Sequence, residues 1–200
     1  MATMKRAMDL LLAGLGILVL SPALAILCLA IAIDSAGPVF YVQDRVGRAG
    51  RIFRIFKLRT MHSTDYDLSF PPGRGARVTR LGYWLRRYKL DELPQLLNVL
   101  FGDMSLVGPR PELPRFVRLY PPLIRDKVLS LRPGITDLAS NAFVDEEEML
   151  AAADDPEYEY TERILPVKLA LCLEYVEQRS IWLDVRIICR TLMGVVAQGK

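Results

Sequence analysis

The chain has one histidine, His62, and three cysteines. With a single histidine, which follows a predicted strand in a polar stretch and reads as an ordinary surface residue, a Ser/His/Asp site is not expected. Cys28, Cys172 and Cys189 lie in apolar stretches without metal-ligand spacing. An odd, scattered set argues against a disulfide framework and fits a reducing compartment, with the thiols as small buried or lipid-facing hydrophobes. GxGxxG, GxxxxGK(S/T), CxxC and HExxH are all missing, so the dinucleotide fingerprint, the P-loop and the commonest zinc motifs have no support. No internal repeat or second domain is visible in 200 residues, enough for one domain with a real core.

Two further absences are regional. Residues 10–33, LLLAGLGILVLSPALAILCLAIAI, contain no charge, and Asp137–Glu162 contains no Lys or Arg but ten Asp/Glu. The missing cations sit elsewhere: Gly37–Leu90 holds 12 Lys/Arg against 3 Asp/Glu. One surface should attract anions and another repel them. Nucleic acid, nucleotide phosphates and anionic lipid headgroups are the candidate anions.

The uncharged run admits three readings. A cleaved signal peptide would use Lys5-Arg6 as its basic start and Ala23-Leu24-Ala25 as its cleavage site, but the run continues for eight residues and a basic segment follows. A transmembrane helix of 24 residues would be ~36 Å long, enough to span a bilayer. Both its flanks are basic, however, against the preference for cations on the cytoplasmic side. A re-entrant helix removes that conflict. Ser21-Pro22 lies mid-run, proline costs a straight helix about 3 kcal/mol, and Ser21 is placed to bond a carbonyl the break frees. Each half would reach roughly mid-bilayer. The residues alone leave the second and third readings open.

Beyond Gly37-Pro38, PVFYVQ and RIFRIFKLRTM around DRVGRAG predict a β-hairpin with one cationic face. Residues 62–78 read as a polar loop; its Asp65-Tyr66-Asp67 is a DxD triplet, a weak metal signal. Leu81, Trp84, Leu85 and Tyr88 follow helical spacing opposite Arg86, Arg87 and Lys89, an amphipathic helix of interfacial look. LPQLLNVLFGD predicts a short helix ending near Gly102, and GDMSLVGPRPELP a rigid loop. FVRLYPPLIRDKVLSLRPG is helical but broken at Pro121-Pro122. Asp145 and Glu148 form a capping pattern. A helix over about 157–178 leads to a last one with the apolar face Ile181, Val185, Ile188, Leu192 and Val195, either core-packing or membrane-surface.

Asp91-Glu92, in KLDELPQLLN, is the candidate site. Asp91 sits where an N-cap belongs and Pro94 suits a first turn, so the pair has a purely structural reading as helix-start acids. Its surroundings offer a chemical one. A helix start also binds anions, and Lys57, Arg59, Arg86 and Arg110 are the cations to gather there. A carboxylate among cations suits phosphoryl chemistry: cations and a divalent metal neutralise phosphate oxygens while an ionised Asp91 attacks phosphorus. Adjacent carboxylates suit Mg²⁺.

FKLRTM (56–61), LDELPQLLNVLFGDMSLVGPRP (90–111) and LRPGIT (131–136), with the apolar run carrying Ser21-Pro22, resemble the bacterial sugar transferases. These are monotopic phosphoglycosyl transferases that begin polysaccharide, O-antigen or glycoconjugate assembly, and the chain's length is similar to their minimal members. The resemblance implies an α+β, predominantly helical fold. A re-entrant membrane helix (1–36) broken at Ser21-Pro22, a small hairpin and interfacial helices would surround a cytoplasmic site, with residues 37–200 forming one domain with that helix. It implies transfer of a sugar-1-phosphate from a UDP-sugar to polyprenyl phosphate at the cytoplasmic face of the bacterial inner membrane, releasing UMP. Asp91 would be the nucleophile that carries a phospho-sugar, Glu92 would help hold Mg²⁺, and Arg86 and Arg110 would be the family arginines. Asp184 is expected to orient one of these. The bilayer is an expected partner, nucleic acid is not, and homo-oligomers stay open. The chain departs from the family's RPGITGLAQ with RPGITDLAS (132–140) and in its acidic VDEEE. That region stands apart from the reactive block, so the departure should bear on the choice of sugar. The contrasting reading is a non-catalytic, membrane-anchored protein that binds anions or lipid, with Asp91 only a cap.

Overall fold

The computed structural model describes residues 2–62, 78–143 and 145–197; the Asp65-Tyr66-Asp67 triplet lies outside them. The fold is mostly helical. The long apolar α1 (Ala2–Asp34) leads into an antiparallel hairpin, β1 (Phe40–Val46) and β2 (Ile52–Leu58), in which Phe40 pairs with Leu58 and Val46 with Ile52. The turn is closed by Ala49 and Gly50, both at positive φ. Then come α2 (Arg80–Arg87), a 3₁₀ turn (Leu90–Glu92), α3 (Gln95–Phe101) and β3 (Ser105–Val107). Two short helices follow, α4 (Pro114–Val117) and α5 (Pro122–Leu129), separated at Pro121-Pro122 as expected from the missing N–H groups. β4 (Gly134–Thr136), α6 (Leu138–Ala142), α7 (Glu146–Ala152) and α8 (Pro156–Tyr158) come next. α8 runs through a π-helical segment, Glu159–Ile164, into α9 (Leu165–Gln178), and α10 (Ile181–Ala197) closes the chain.

Several expectations are corrected. The loop reading of GDMSLVGPRPELP misses β3, which pairs in parallel with β4. That pairing explains two glycines of the motifs. A Cβ on Gly108 would lie 2.5 Å from the Arg132 carbonyl oxygen, and one on Gly134 would lie 2.2 Å from the Gly108 nitrogen. The two loops cross backbone to backbone, which only glycine permits. The hairpin does not gather its cations on one face. Alternation sends Arg54 outward, with 78 % of its side chain exposed, and Lys57 inward beside buried Ile55. Asp145 does stand before α7, but without a side-chain capping bond. On α10 the buried face centres on Asp184 and Ile187 rather than the apolar stripe. Asp184 and Thr191 dock this helix through hydrogen bonds to Tyr175 and Thr136, so polar side chains turn it away from the hydrophobic pattern.

α1 is one continuous helical element through Ser21-Pro22, where a break was expected, and Pro22 lies inside it. Pro22 cannot donate to the Leu18 carbonyl, and Ser21 Oγ donates to it instead at 2.9 Å. Thr3–Asp34 is long and apolar enough to cross a membrane. Yet both of its ends pack on the rest of the chain: Ala13 joins Ile55, Val99 and Met104 in one core cluster, and Ile31 joins Leu58 and Leu85 in another. Between them Leu18 and Val19 are exposed. The largest core gathers Phe116, Tyr120, Tyr160, Ile164 and Leu165 from α4 to α9.

Candidate active site

The site forms where the end of β2, the turn before α3 and the loop after β3 meet. Lys89 takes a left-handed conformation (φ 54°) and starts the 3₁₀ turn that holds Asp91 and Glu92. Helix α3 begins only at Gln95, with Pro94 as its N-cap. Asp91 therefore does not cap α3 itself; it stands in the first turn of the 3₁₀ segment just upstream. Asn98 fixes that turn against β2, donating from Nδ2 to the Arg54 carbonyl at 2.7 Å and accepting from the Phe56 N–H at 3.1 Å. A buried asparagine in the otherwise apolar QLLNVLF is the signal that sequence reasoning passed over. Gln95, also buried, keeps its amide nitrogen without a partner among the described residues.

Glu92 is the hub. Its Oε1 accepts from Lys57 Nζ at 2.8 Å and from Arg110 Nη2, and its Oε2 accepts from Arg110 Nη1 at 3.4 Å. This is a two-pronged grip of guanidinium on carboxylate. Burial opposes the charged glutamate, but Arg110 and Lys57 outweigh it and hold Glu92 well below the usual carboxylate range. Glu92 in turn raises Arg110. Lys57 Nζ also lies 3.9 Å from Asp91 Oδ2. Lys89, absent from the sequence-based candidates, joins the same field: burial and then Arg110 push it below an ordinary lysine. Lys57, Lys89 and Arg110 thus stand around Asp91 and Glu92, and the Asp91 side chain is 12 % exposed.

Of the other candidates, Arg59 and Asp184 have their partners elsewhere. Arg86 Nε donates to Thr60 Oγ1 at 2.9 Å at the end of α2. Arg59 is fully buried and bonds the carbonyls of Ile31, Ser35 and Ala36, satisfying the orphaned C-terminal end of α1 rather than joining the acids. Asp184 orients neither arginine; it accepts from Lys5 Nζ at 2.6 Å and Tyr175 OH at 2.7 Å. Besides Glu92 on its guanidinium, Arg110 has Asp137 on its backbone: Asp137 Oδ2 accepts the Arg110 N–H at 3.1 Å while its Oδ1 accepts from Ser140 N at 2.6 Å. The departure in RPGITDLAS is therefore not remote: Asp137 braces the backbone of the site arginine.

Among the described residues no three His, Cys, Asp or Glu converge into a metal cage, and both oxygens of Glu92 are engaged by cations. The pair suits an ion that keeps several waters and completes its shell with substrate phosphates, as Mg²⁺ does.

The fold and site together present an acidic pair gripped by cations beside one helix long and apolar enough to cross a membrane. Comparison gives the family: residues 1–198 match the bacterial sugar transferase family, and the chain belongs to it. It is 41 % identical over 198 residues to an undecaprenyl-phosphate glucose phosphotransferase of Komagataeibacter xylinus, covering 94 % of this chain and 35 % of that protein. It is 37 % identical over 199 residues to a UDP-N-acetylgalactosamine-undecaprenyl-phosphate N-acetylgalactosaminephosphotransferase of Aeromonas hydrophila, covering 98 % and 44 %. The chain thus spans less than half the length of these two relatives. An exopolysaccharide production protein of Rhizobium leguminosarum is 36 % identical over 205 residues, covering 98 % of this chain and 97 % of that one.

Proposed function

We propose that the protein transfers a sugar-1-phosphate from a UDP-sugar to polyprenyl phosphate, such as undecaprenyl phosphate, at the cytoplasmic face of the membrane. The observation that carries this reading is the buried Asp91-Glu92 pair with Lys57, Lys89 and Arg110 around it. Asp91 attacks the β-phosphorus of the UDP-sugar. The bond from that phosphorus to the bridging oxygen breaks, and UMP leaves with the oxygen. An oxygen of polyprenyl phosphate then attacks the same phosphorus, the acyl-phosphate bond to Asp91 breaks, and polyprenyl diphosphate-sugar is released. Lys57, Lys89 and Arg110 offset the charge on the phosphate oxygens. Arg86 is assigned to the nucleotide phosphates. Glu92 holds Lys57 and Arg110 in place, and Asp137 holds the Arg110 backbone. Asp91 and Glu92 are the residues that would hold Mg²⁺, which supplies further neutralisation of phosphate charge when bound.

The two substrates differ in phase, one soluble and one lipid, so the site must sit at the bilayer surface. A re-entrant α1 provides that seat. In its support, Lys5 and Arg6 bond Asp184 and the Val99 carbonyl at one end, and Arg59 bonds the last carbonyls at the other. A helix crossing a ~30 Å hydrocarbon core once would part these ends. Thr3→Cys and Ala36→Cys, each in a background without native cysteines, should both be labelled only from the cytoplasm of intact cells. Labelling of either from outside contradicts the re-entrant seat.

For the reaction, purified protein is incubated with a panel of UDP-sugars, polyprenyl phosphate and Mg²⁺, and UMP is measured. Release with at least one sugar, reduced by about a thousandfold or more in Asp91→Asn, is the expected result. No release with any UDP-sugar, or full release from Asp91→Asn, overturns the reading. The relatives' names differ in the sugar, glucose in one and N-acetylgalactosamine in the other, so the panel also decides specificity.

A further inference from the structure

A cavity of about 360 Å³ opens between the start of α1, β3, the Ser130–Arg132 loop and the α9–α10 connection. It shares no lining residue with the Asp91 cluster. Five cations line it: Lys5, Arg6, Arg48, Arg132 and Arg179. Only Asp9 and Asp184 stand against them, and both are already engaged. Asp184 holds Lys5 and Tyr175, while Asp9 accepts from Ser105 Oγ at 2.7 Å and the Leu106 N–H at 3.2 Å.

The cations are not used up by the fold. Arg6 donates to the Val99 carbonyl and Arg132 Nε to the Gly102 carbonyl, so two guanidiniums converge on one end of α3 and repel each other. Arg48 spends only Nε, on the Ser130 carbonyl at 3.1 Å. Arg179, exposed, makes no hydrogen bond or ion pair with the described residues. Ser180 caps the 17-residue α10, accepting from Leu183 N at 3.1 Å, and brings the positive end of that helix to the rim. Crowded like charges, spare guanidinium donors and a helix start around one void are the makings of an anion site.

Its place along the chain indicates where the anion comes from. Lys5 and Arg6 directly precede the uncharged run 10–33, and Leu11, one turn on, is exposed. Trp182, next to Ile181 on the rim, is 70 % exposed, as an interfacial tryptophan would be. With α1 seated in a bilayer, the cavity would lie at the level where that helix leaves the polar surface.

We propose that this cavity binds a phosphodiester anion, the headgroup of an anionic membrane phospholipid, outside the reacting site. The proposal rests on the membrane seat of α1 but not on the transfer reaction.

Native mass spectrometry of the full chain, freed from detergent without UDP-sugar, reads the binding directly. The probes are phosphatidylglycerol, phosphatidylcholine, inorganic phosphate and UDP. Phosphatidylglycerol should stay bound to the wild type, phosphatidylcholine should not, and neither phosphate nor UDP should displace it. In Arg48→Gln/Arg179→Gln, two exposed positions, retention should fall about thirtyfold, the joint effect of two interfacial cations. An unchanged melting temperature shows that the fold is kept. Equal retention by wild type and variant overturns the proposal. So does displacement by inorganic phosphate, which makes the ligand a free anion, or by UDP, which makes the cavity a nucleotide subsite. UMP release should persist in the variant; its loss with the fold intact would place the cavity in the substrate path and equally overturn the assignment. Because lipid is read without turnover, a chain that releases no UMP still tests it.

Discussion

Two buried glutamates, Glu92 and Glu112, are built from the same parts and end with different properties. Each is paired with a lysine and an arginine, and each is held anionic by those cations against the cost of burial. Around Glu112 the charges close. Lys168 Nζ lies 3.2 Å from both Glu112 and Glu146, Tyr160 OH donates to Glu112 at 2.5 Å, and Arg45 stands 3.9 Å away. Two acids meet two cations inside the largest core, and Lys168 is only 7 % exposed. Around Glu92, Lys57, Lys89 and Arg110 gather at a surface-facing site, and the Arg110 side chain is 30 % exposed. We read the network centred on buried Lys168 as scaffold and the one with the more accessible Arg110 as the site for a further anion. The short GPRPE loop supplies both, sending Arg110 to one network and Glu112 to the other.

The contrast breaks most directly at Glu92. Glu92→Gln removes the charge that positions Lys57 and Arg110. UMP release should fall about a hundredfold or more, and stability by about 3 kcal/mol because two cations lose their partner; steady-state assays and urea unfolding measure these. Lys168→Met should cost a similar ~3 kcal/mol by orphaning Glu112, while release per folded molecule stays within a few-fold of wild type. Release lost in parallel with that of Glu92→Gln would erase the distinction between scaffold and site.

Acid provides a milder probe of both. The folded-state values of Glu92 and Glu112 are lowered. Each therefore contributes stability that is fully present above the ordinary glutamate value of about 4.3 and is lost as pH falls through the lowered folded value. Thermal melts below that point should show a falling midpoint, with a shallower fall in Lys168→Met, where Glu112 has lost a cation. The smallest effect is expected away from both networks. Ala49, at φ 57° in the hairpin turn, pays for a left-handed conformation; Ala49→Gly should be stabilising by a few tenths to about 1 kcal/mol without changing UMP release.

The local features were legible in the sequence. The hairpin, the break at Pro121-Pro122 and the Gly102 end of α3, at φ 94°, follow from periodicity and from proline and glycine chemistry. The long-range ones were not. β3 and β4 are three residues each, flanked by Gly and Pro, and their partners lie almost thirty residues apart, so nothing local announces the pairing. Arg59 reads as a site cation until the carbonyls at the end of α1 claim it. Asp137 reads as a change of sugar preference until the β3–β4 crossing lays it against the Arg110 backbone. At the site itself, charge pattern alone left Asp91-Glu92 divided between a helix cap and a nucleophile. The structure starts α3 only at Gln95, after Pro94, and leaves Asp91 in the first turn of the 3₁₀ segment that follows the left-handed Lys89.

The central claim is that Asp91 carries the sugar phosphate between two substrates. It is tested by intact-mass measurement of the protein mixed with Mg²⁺ and a UDP-sugar that supports turnover, with polyprenyl phosphate withheld. The expected result is a mass gain of one sugar phosphate, localised by peptide mapping to Asp91, accompanied by UMP, absent from Asp91→Asn and discharged on adding polyprenyl phosphate. UMP release that requires both substrates together, with no adduct under rapid quench, would contradict it.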